Sequence, residues 1–251
     1  MKNFALIGRR LSHSFSQRWF EALFARLGLE GYSYRLAAMP LLDGLRRWAS
    51  DNDIRGFNVT VPYKMEVIAH LDRLDDEAAA VGAVNCVTLE QGRLVGHNTD
   101  SRAFRETFLA ALPPSVDLGK TSALVLGTGG AARAVAHAFG VMGMGFRLVS
   151  RTPERHADAV GYAEAASLLT SRTATVLVNA TPVGMFPDVE SSPWPQPDVL
   201  ASADFVYDLV YNPSPTLLMR QASAAGVPAV DGLAMLHRQA ELSWRHFQQV
   251  D

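Results

Sequence analysis

The stretch that decides the fold is SALVLGTGGAARAVAHAFGVMGMGFRLVSRT, residues 122–152. Its first apolar run predicts a parallel strand buried on both faces, and the glycines after it allow a tight turn without a Cβ clash. Apolar residues at helical spacing follow, and a second apolar strand ends at Val149. Gly127, Gly129 and Ala132 match the pattern G-x-G-x-x-G/A between strand and helix. The stretch therefore predicts a dinucleotide-binding βαβ unit, with the pyrophosphate at the helix N-terminus.

The end of the second strand indicates which dinucleotide binds. An NAD site usually carries Asp or Glu there to bond the ribose 2′-hydroxyl, whereas this chain continues with Ser150, Arg151, Thr152 and Arg155. Guanidinium groups are planar, always charged and donate several hydrogen bonds, so the two arginines suit a 2′-phosphate. Two solvated arginines at a helix start are the alternative, but cations there oppose the helix macrodipole. The segment predicts NADP rather than NAD.

Composition narrows the class of protein. A chain of 251 residues suits one large or two small domains. The net charge of −2 argues against nucleic acid or an anionic membrane as the main partner. Cys86 is the only cysteine, so no internal disulfide and no cysteine zinc cluster is expected. No segment has the length and apolarity of a membrane span or a signal peptide, which predicts a cytoplasmic protein.

Apolar strands and helices alternate before residue 100, which predicts a separate α/β layer with a mainly parallel sheet. Strands are predicted over 4–8, 32–36 and 54–61, and helices over 14–27, 41–50 and 63–71. Together with the glycine-rich unit, this pattern predicts an α/β protein built from two domains.

The stretch GFNVTVPYK, residues 56–64, carries the strongest chemical signal in that first layer. Asn58 and Thr60 alternate with apolar residues, so they share one face of a strand end. Pro62 suits the first position of a helix. Lys64 would then lie in the first helical turn, the unfavourable end for a cation, which favours proton transfer near neutral pH. A solvated surface lysine is the alternative, and spacing alone leaves both open.

Other polar residues have two interpretations each. Asp100 is either the N-cap of a helix over 101–112 or the carboxylate partner of Lys64. Ser14 and Ser16 either begin a helix, with Gln17 at capping-box spacing, or offer two hydroxyls to a polyol or carboxylate ligand.

Histidine spacing predicts no metal site. His97 is predicted to be structural or exposed, because no second histidine lies at ligand spacing.

Residues 179–185 follow a predicted strand as a polar turn, and ligands bind at the carboxyl edge of parallel sheets. For Asn85, Tyr211 and Gln239, the residues alone favour turn, packing or surface roles.

The order of nine motifs is more specific than any one of them, and it resembles the shikimate dehydrogenase family over nearly the whole chain. The motifs are SFS at 14–16, NVTVPYK at 58–64, GAVN at 82–85, NTD at 98–100, GTGGA at 127–131, SRT at 150–152, NATPVGM at 179–185, DLVY at 208–211 and GLAML at 232–236.

This resemblance implies a fold and a reaction. The fold is a shikimate-binding domain over 1–100, a doubly wound Rossmann-type NADP domain over 101–234, and a C-terminal helix over 235–251 that packs back on the first domain. The reaction is the reversible, NADPH-dependent reduction of 3-dehydroshikimate to shikimate in aromatic amino acid biosynthesis. The implied partners are these small molecules, without nucleic acid or membrane, and the chain is expected to be a monomer or homodimer.

The resemblance also implies site residues. Lys64 and Asp100 are the catalytic pair: Lys64 supplies or takes the proton at the reacting oxygen, and Asp100 orients it. The substrate-binding residues are Ser14, Ser16, Asn58, Thr60, Lys64, Asn85, Asp100, Tyr211 and Gln239. The cofactor-binding residues are Gly127, Thr128, Gly129, Gly130, Ala131, Ser150, Arg151, Thr152, Arg155, Thr181, Leu209 and Gly232. No metal is implied, since an ammonium group can stabilise the developing alkoxide.

Four positions depart from the family pattern: Gln17 replaces Pro, Cys86 replaces Thr, Ala103 replaces Gly and Ser150 replaces Asn. None of them removes a catalytic group. Two alternatives stay open: a relative that acts on quinate or aminoshikimate, and a catalytically silent NADP-binding regulator, against which the intact catalytic pair argues.

Overall fold

The chain folds into two compact units, each a sheet covered by helices. The computed structural model describes residues 1–11, 15–173 and 175–250. The first unit comprises Met1–Asp100 and His237–Asp251, and the second comprises Ser101–Leu236. Within the described ranges no helix combines the length and apolarity needed to cross a membrane. The predicted α/β class is confirmed.

The first unit contains a six-stranded mixed sheet. Its strands are β1 (Lys2–Gly8), β2 (Tyr32–Ala38), β3 (Ile54–Val59), β4 (Arg73–Leu74), β5 (Cys86–Glu90) and β6 (Arg93–His97), in the order β2-β1-β3-β5-β6-β4. Its helices are α1 (Ser16–Arg26), α2 (Leu45–Asp51) and α3 (Asp76–Val81). Helix α8 (Leu233–Phe247) carries the chain back into this unit. The β1–β2, β1–β3 and β4–β6 pairs are parallel, whereas β3–β5 and the β5–β6 hairpin are antiparallel.

Strand β1 separates two apolar cores, because successive side chains of a strand point to opposite faces. Phe4 and Leu6 pack in a cluster with residues of α1 and α8. Ala5 and Ile7 pack in the cluster on the other face. Aromatic stacking joins the elements of the first cluster: the ring centroids of Phe4 and Phe247 lie 4.8 Å apart. The buried face of α8 thus completes the core of the first unit.

The second unit contains a wholly parallel sheet. Its strands are β7 (Ser122–Leu126), β8 (Gly145–Val149), β9 (Ala159–Val160), β10 (Val176–Asn179), β11 (Phe205–Asp208) and β12 (Ala229–Val230), in the order β12-β11-β10-β7-β8-β9. Its helices are α4 (Asp100–Ala111), α5 (Gly130–Met142), α6 (Tyr162–Thr170) and α7 (Leu217–Ala224). The strand order reverses between β7 and β10, so ligands are expected at the carboxyl ends of these two strands.

Several predicted elements differ from the observed ones. The segment predicted as a helix over 63–71 forms turns and a 3-10 helix, Glu66–His70. The helix predicted from residue 41 begins at Leu45, because Gly44 before it has a φ of +78°, in the left-handed region. Helices α3 and α6 are additional to the predicted elements. Asp75 caps α3 by accepting the Ala78 N–H at 2.7 Å.

Candidate functional site

The first unit brings Lys64 and Asp100 together. The Lys64 ammonium lies 2.6 Å from the Asp100 carboxylate, and 16% and 6% of the two side chains are exposed. Lys64 lies in the turn before the 3-10 helix, so the macrodipole argument for its chemistry does not apply. Asp100 is the first residue of α4, but its carboxylate bonds Lys64 and Asn85. This pair is a largely buried ammonium–carboxylate hydrogen bond that a ligand can reach from the Lys64 side.

Asn85 holds Asp100 from the other side. Its buried amide donates to the Asp100 carboxylate at 2.9 Å and to the Thr99 hydroxyl at 2.8 Å. Its carbonyl oxygen accepts the Thr99 N–H at 2.7 Å. Gln239 of α8 also lies near this amide, with its carbonyl oxygen at 3.4 Å. Asn85 therefore holds the Asp100 carboxylate through its NH2 group and the preceding backbone of Thr99 through its carbonyl oxygen.

The side chain of Asn58, predicted to bind substrate, makes three hydrogen bonds within the protein. Its amide donates to the Asn85 carbonyl at 3.1 Å and to the Ser243 hydroxyl at 2.8 Å. Its side-chain oxygen accepts the Tyr34 hydroxyl at 2.9 Å. Because an asparagine amide has only two hydrogens, both are occupied inside the protein. The contacts favour a structural role for Asn58, joining β3 to α8.

Sequence reasoning missed Ser243, which is fully buried on α8. Its hydroxyl contacts Asn58 and lies 3.2 Å from the Thr99 hydroxyl. It also contacts Cys86, whose thiol pKa is raised by burial. The signal in the sequence is a single serine within the otherwise apolar stripe of the helix.

The other predicted substrate residues fall into three groups. Ser14 lies outside the described residues. Ser16 begins α1, and Gln17 donates to Glu21 at 2.8 Å, one helical turn ahead, instead of reaching back as a capping box requires. Thr60 follows β3 and is half-buried. Tyr211 belongs to the second unit, where burial raises the pKa of its phenol.

In the second unit, the glycine turn leaves the start of α5 open. Gly127 has a φ of +108°, in the left-handed region that favours glycine, and Gly129 is the N-cap of α5. No side chain caps this helix and its first turn holds no acidic residue, all within the described ranges. The first N–H groups of Gly130 and Ala131 therefore suit an anion such as a pyrophosphate.

The segment after β8 lies beside this turn. The Thr128 hydroxyl lies 3.2 Å from the ring of His156, a contact that sequence reasoning missed. Ser150 is almost wholly buried and accepts the Thr152 N–H at 3.1 Å, which shapes the loop. Arg151 and Arg155 are exposed. Arg155 ends a 3-10 helix, Pro153–Arg155, so the predicted placement of the arginines at an α-helix start is wrong.

A buried network holds the carboxyl ends of β10 and β11. Asn179 donates to Asp208 at 2.8 Å and accepts the Thr181 hydroxyl at 2.7 Å. Asp208 also accepts the Thr216 hydroxyl at 2.7 Å and the Val210 N–H at 3.0 Å. Burial raises the pKa of Asp208 to about 6, although these hydrogen bonds oppose the shift. The network fixes the polar turn beside the glycine loop.

Gly232 lies against the loop that follows β11. A Cβ at this position would lie 2.1 Å from the Leu209 carbonyl oxygen, which is backbone and cannot turn aside. We expect Gly232→Ala to lower the free energy of unfolding by about 1–3 kcal/mol, the usual cost of overpacking. Gly140→Ala in α5 is the matched control, because a Cβ there meets nothing within 4 Å. It should raise stability by up to about 1 kcal/mol. Urea unfolding measures both, and equal effects would contradict the argument.

Comparisons with known proteins match one part of this chain to a family model and nearly the whole chain to curated relatives. Residues 6–87 match the family described as shikimate dehydrogenase substrate binding domain. The NADP(+) shikimate dehydrogenase of Shouchella clausii is 37% identical, over 98% of this chain and 92% of its own length. The chain belongs to the shikimate dehydrogenase family. Two of the four positions at which this chain departs from the family pattern, Cys86 and Ala103, are fully buried, so these two substitutions affect packing.

Solved structures of the family share the whole fold. The Thermus thermophilus shikimate dehydrogenase in complex with NADP(H) and shikimate has a TM-score of 0.85 and 37% identity, over 100% of this chain and 94% of its own. The Corynebacterium glutamicum quinate dehydrogenase in complex with NAD has a TM-score of 0.84 and 28% identity, over 99% and 94% of the two chains. The two structures differ in the activity that they are named for and in the cofactor that they hold.

Proposed function

We propose that this chain is an NADP-dependent shikimate dehydrogenase that reversibly reduces 3-dehydroshikimate to shikimate. One observation carries the proposal: the ammonium of Lys64 is held 2.6 Å from a carboxylate that Asn85 fixes in turn, in a chain of this family. A positioned acid of this kind suits proton transfer to a carbonyl oxygen. Relatives that are 37% and 40% identical carry the shikimate dehydrogenase name, whereas the quinate dehydrogenase is 28% identical, which favours shikimate over quinate.

NADPH, when bound, supplies the hydride that the carbonyl carbon accepts. Lys64 donates the proton that the carbonyl oxygen needs as its negative charge develops, and a proton from solvent then restores the ammonium. Asp100 holds Lys64 in place and stabilises its charged form through the hydrogen bond at 2.6 Å. In the reverse direction Lys64 first gives its proton to solvent, and the neutral amine then takes the proton of the substrate hydroxyl; NADP, when bound, would accept the hydride. The overall change is one hydride and one proton per carbonyl.

The polar side chains around Lys64 and Asp100 position the substrate. We assign Thr60 and Gln239 to the substrate hydroxyls and carboxylate, because Thr60 leads to Lys64 and Gln239 lies beside the amide that holds Asp100. Both amide hydrogens of Asn85 are donated inside the protein, so we assign Asn85, predicted from the family motifs to bind substrate, to positioning Asp100. Ser14, Ser16 and Tyr211 stay predictions from the family motifs. Asn58 is assigned to holding β3 and α8 in register, since both of its amide hydrogens are donated internally.

We assign the open start of α5 to the pyrophosphate of the cofactor and the loop after β8 to its 2′-phosphate. Thr181, Leu209 and Gly232 line the turns at the ends of β10 and β11 and at the start of α8, and we assign them to the nicotinamide half. Neither Arg151 nor Arg155 forms an ion pair with a carboxylate of the described residues, so both exposed guanidinium groups are available to a phosphate.

Replacing Arg151 and Arg155 by alanine together should raise KM for NADPH far more than KM for NADH. A 2′-phosphate loses its charged donors in the variant, whereas the 2′-hydroxyl of NADH never uses them. Steady-state kinetics with each cofactor, at saturating 3-dehydroshikimate, measures the ratio. Arg147→Ala, an exposed arginine on β8, is the matched control and should leave both KM values unchanged. Equal effects of the double variant on both cofactors would contradict the assignment.

The substrate is tested by parallel assays of shikimate and quinate, each with NADP and with NAD. We expect the absorbance of the reduced cofactor to rise fastest with shikimate and NADP. Growth only with quinate would transfer the assignment to quinate dehydrogenase. Aminoshikimate is assayed as a third substrate in the same way. A protein that binds NADP but turns over none of these substrates would be a regulator instead.

The cytoplasmic location and the monomeric or homodimeric state are part of the same proposal and are tested by fractionation and light scattering.

A further inference from the structure

A cluster of metal-ligating side chains lies in the first unit, apart from the catalytic pair. It contains Asp75, at the start of α3, His97, at the end of β6, and His246, in the last turn of α8. One potential ligand atom of each lies within 4.8 Å of those of the other two. The rings of His97 and His246 stack with their centroids 4.0 Å apart. Three distant segments of the chain thus bring two imidazoles and one carboxylate together.

The hydrogen bonds of His97 indicate where a cation belongs. Its Nε2 lies 2.8 Å from the Thr88 hydroxyl, and Thr88 donates to Glu90 at 2.8 Å. Because a hydroxyl has a single hydrogen, Nε2 must donate to Thr88. Its Nδ1 faces the Asp75 carboxylate at 2.7 Å. Two lone pairs cannot face each other at this distance, so a proton or a metal ion must lie between Nδ1 and Asp75.

We propose that Asp75, His97 and His246 form a binding site for a divalent transition-metal ion such as Zn²⁺. The ion takes the place of the proton between His97 Nδ1 and Asp75, and His246 supplies the third ligand. Zinc sites with two imidazoles and one carboxylate are an established donor set, with a fourth position for water. Glu90, whose carboxylate lies 3.7 Å from His97 Nε2, stays in the outer shell.

The surroundings match what a metal-bound histidine requires. Ligating histidines usually donate their second ring N–H to an oxygen that fixes the tautomer, and Thr88 and Glu90 form such a chain behind His97. Asp75 uses one carboxylate oxygen to cap α3 and keeps the other for His97. Tetrahedral Zn²⁺ bonds of about 2.0–2.1 Å place ligand atoms about 3.3 Å apart. His246 must therefore move inward by up to about 1.5 Å, and the separation of 2.7 Å between His97 Nδ1 and Asp75 must widen by about 0.6 Å.

The site has a structural consequence, since it joins β6 to α8. Asp100 follows His97 by three residues, and Ser243 precedes His246 by three. A bound ion would tie together the two segments that hold Asn58, Thr99 and Asp100 in place. It would stabilise the first unit without contacting the reacting atoms.

Metal binding to the full chain tests the proposal. After dialysis against chelator, one equivalent of Co²⁺ should bind and give a visible d–d absorption band, and Zn²⁺ should abolish the band by competition. Zn²⁺ at about 100 times its Kd should raise the melting temperature by about 5–10 °C. Mg²⁺, which prefers oxygen ligands, should not.

Three variants make the test specific. Asp75→Asn keeps the helix cap but removes the charged ligand, and His246→Gln removes an imidazole. Both should lose the Co²⁺ band and the thermal shift. His237→Gln is the matched control, because His237 is exposed on the same helix about 13 Å along its axis from His246. Absence of a band and of a thermal shift in the unmodified protein would overturn the proposal, whatever the variants do. So would equal binding by Asp75→Asn and His246→Gln, which indicates surface histidines only.

Discussion

Lys64→Ala is expected to lower kcat for shikimate oxidation by about 10²–10⁴, the usual contribution of a positioned acid–base group, with a smaller change in KM. The physical reason is that Lys64 is the proton-transfer group held beside Asp100 at 2.6 Å, so its removal leaves no side chain to take the hydroxyl proton during oxidation. Initial rates of NADPH formation at several shikimate concentrations separate kcat from KM. A large rise in KM with kcat intact would reassign Lys64 to substrate binding.

Two controls keep this result interpretable. Lys120→Ala removes an ammonium that is 84% exposed and should leave both constants unchanged. Loss of Lys64 also leaves the buried Asp100 carboxylate without its cationic partner, which destabilises the fold. Asn85 still donates to that carboxylate, so we expect the variant to fold. A thermal melt of each protein distinguishes lost chemistry from lost structure.

The second large effect concerns Asp208 and the pH dependence of stability. Burial raises the pKa of Asp208 from 3.8 to about 6 in the folded protein, against the donors Thr216, Val210 and Asn179. Between these two pKa values the folded state binds more protons than the unfolded state. The stabilisation is therefore complete below pH 4 and is lost as the pH rises through 6. A shift of about two pKa units corresponds to about 3 kcal/mol.

We expect the free energy of unfolding of the unmodified protein to fall by about 2–2.5 kcal/mol more than that of Asp208→Asn between pH 4 and pH 7. Urea unfolding of both proteins across this range measures the difference. The comparison is needed because burial lowers the pKa of His246 to about 4, which makes acid destabilising in both proteins. That contribution cancels when the two are subtracted. Parallel pH profiles would contradict the buried position of the Asp208 charge.

The second unit was largely predictable because its signals are local. A short apolar run, a glycine turn and a helix with one apolar face lie within a single stretch, and each follows from the backbone preferences of its own residues. The parallel direction of its strands comes from the same alternation, since strands of a βαβ unit pair in one direction, whereas the order of the strands is known only from the structure. The loop after β8 was predictable in composition but not in shape, because a 3-10 turn has no periodic signal.

In the first unit, the local signals around Lys64 did not predict the conformation of the chain. Pro62 and the apolar residues after it are compatible with an α-helix, but the segment forms turns and a 3-10 helix. Its side chains pack according to the neighbouring strands: Tyr63 is fully buried and its hydroxyl donates to the Met39 carbonyl at 2.6 Å. Tertiary packing overrode the local preference, as it commonly does in short segments.

By itself the sequence determined the α/β class, the glycine turn, the arginines after β8 and the family, because each depends on residues close together in the chain. Only the tertiary structure decided which polar groups meet. Asn85 contacts Asp100, Ser243 contacts Asn58, and His246 stacks on His97 because sheet register and the return of α8 place them together. Such contacts form between segments far apart in the chain, and no periodicity along the chain encodes them.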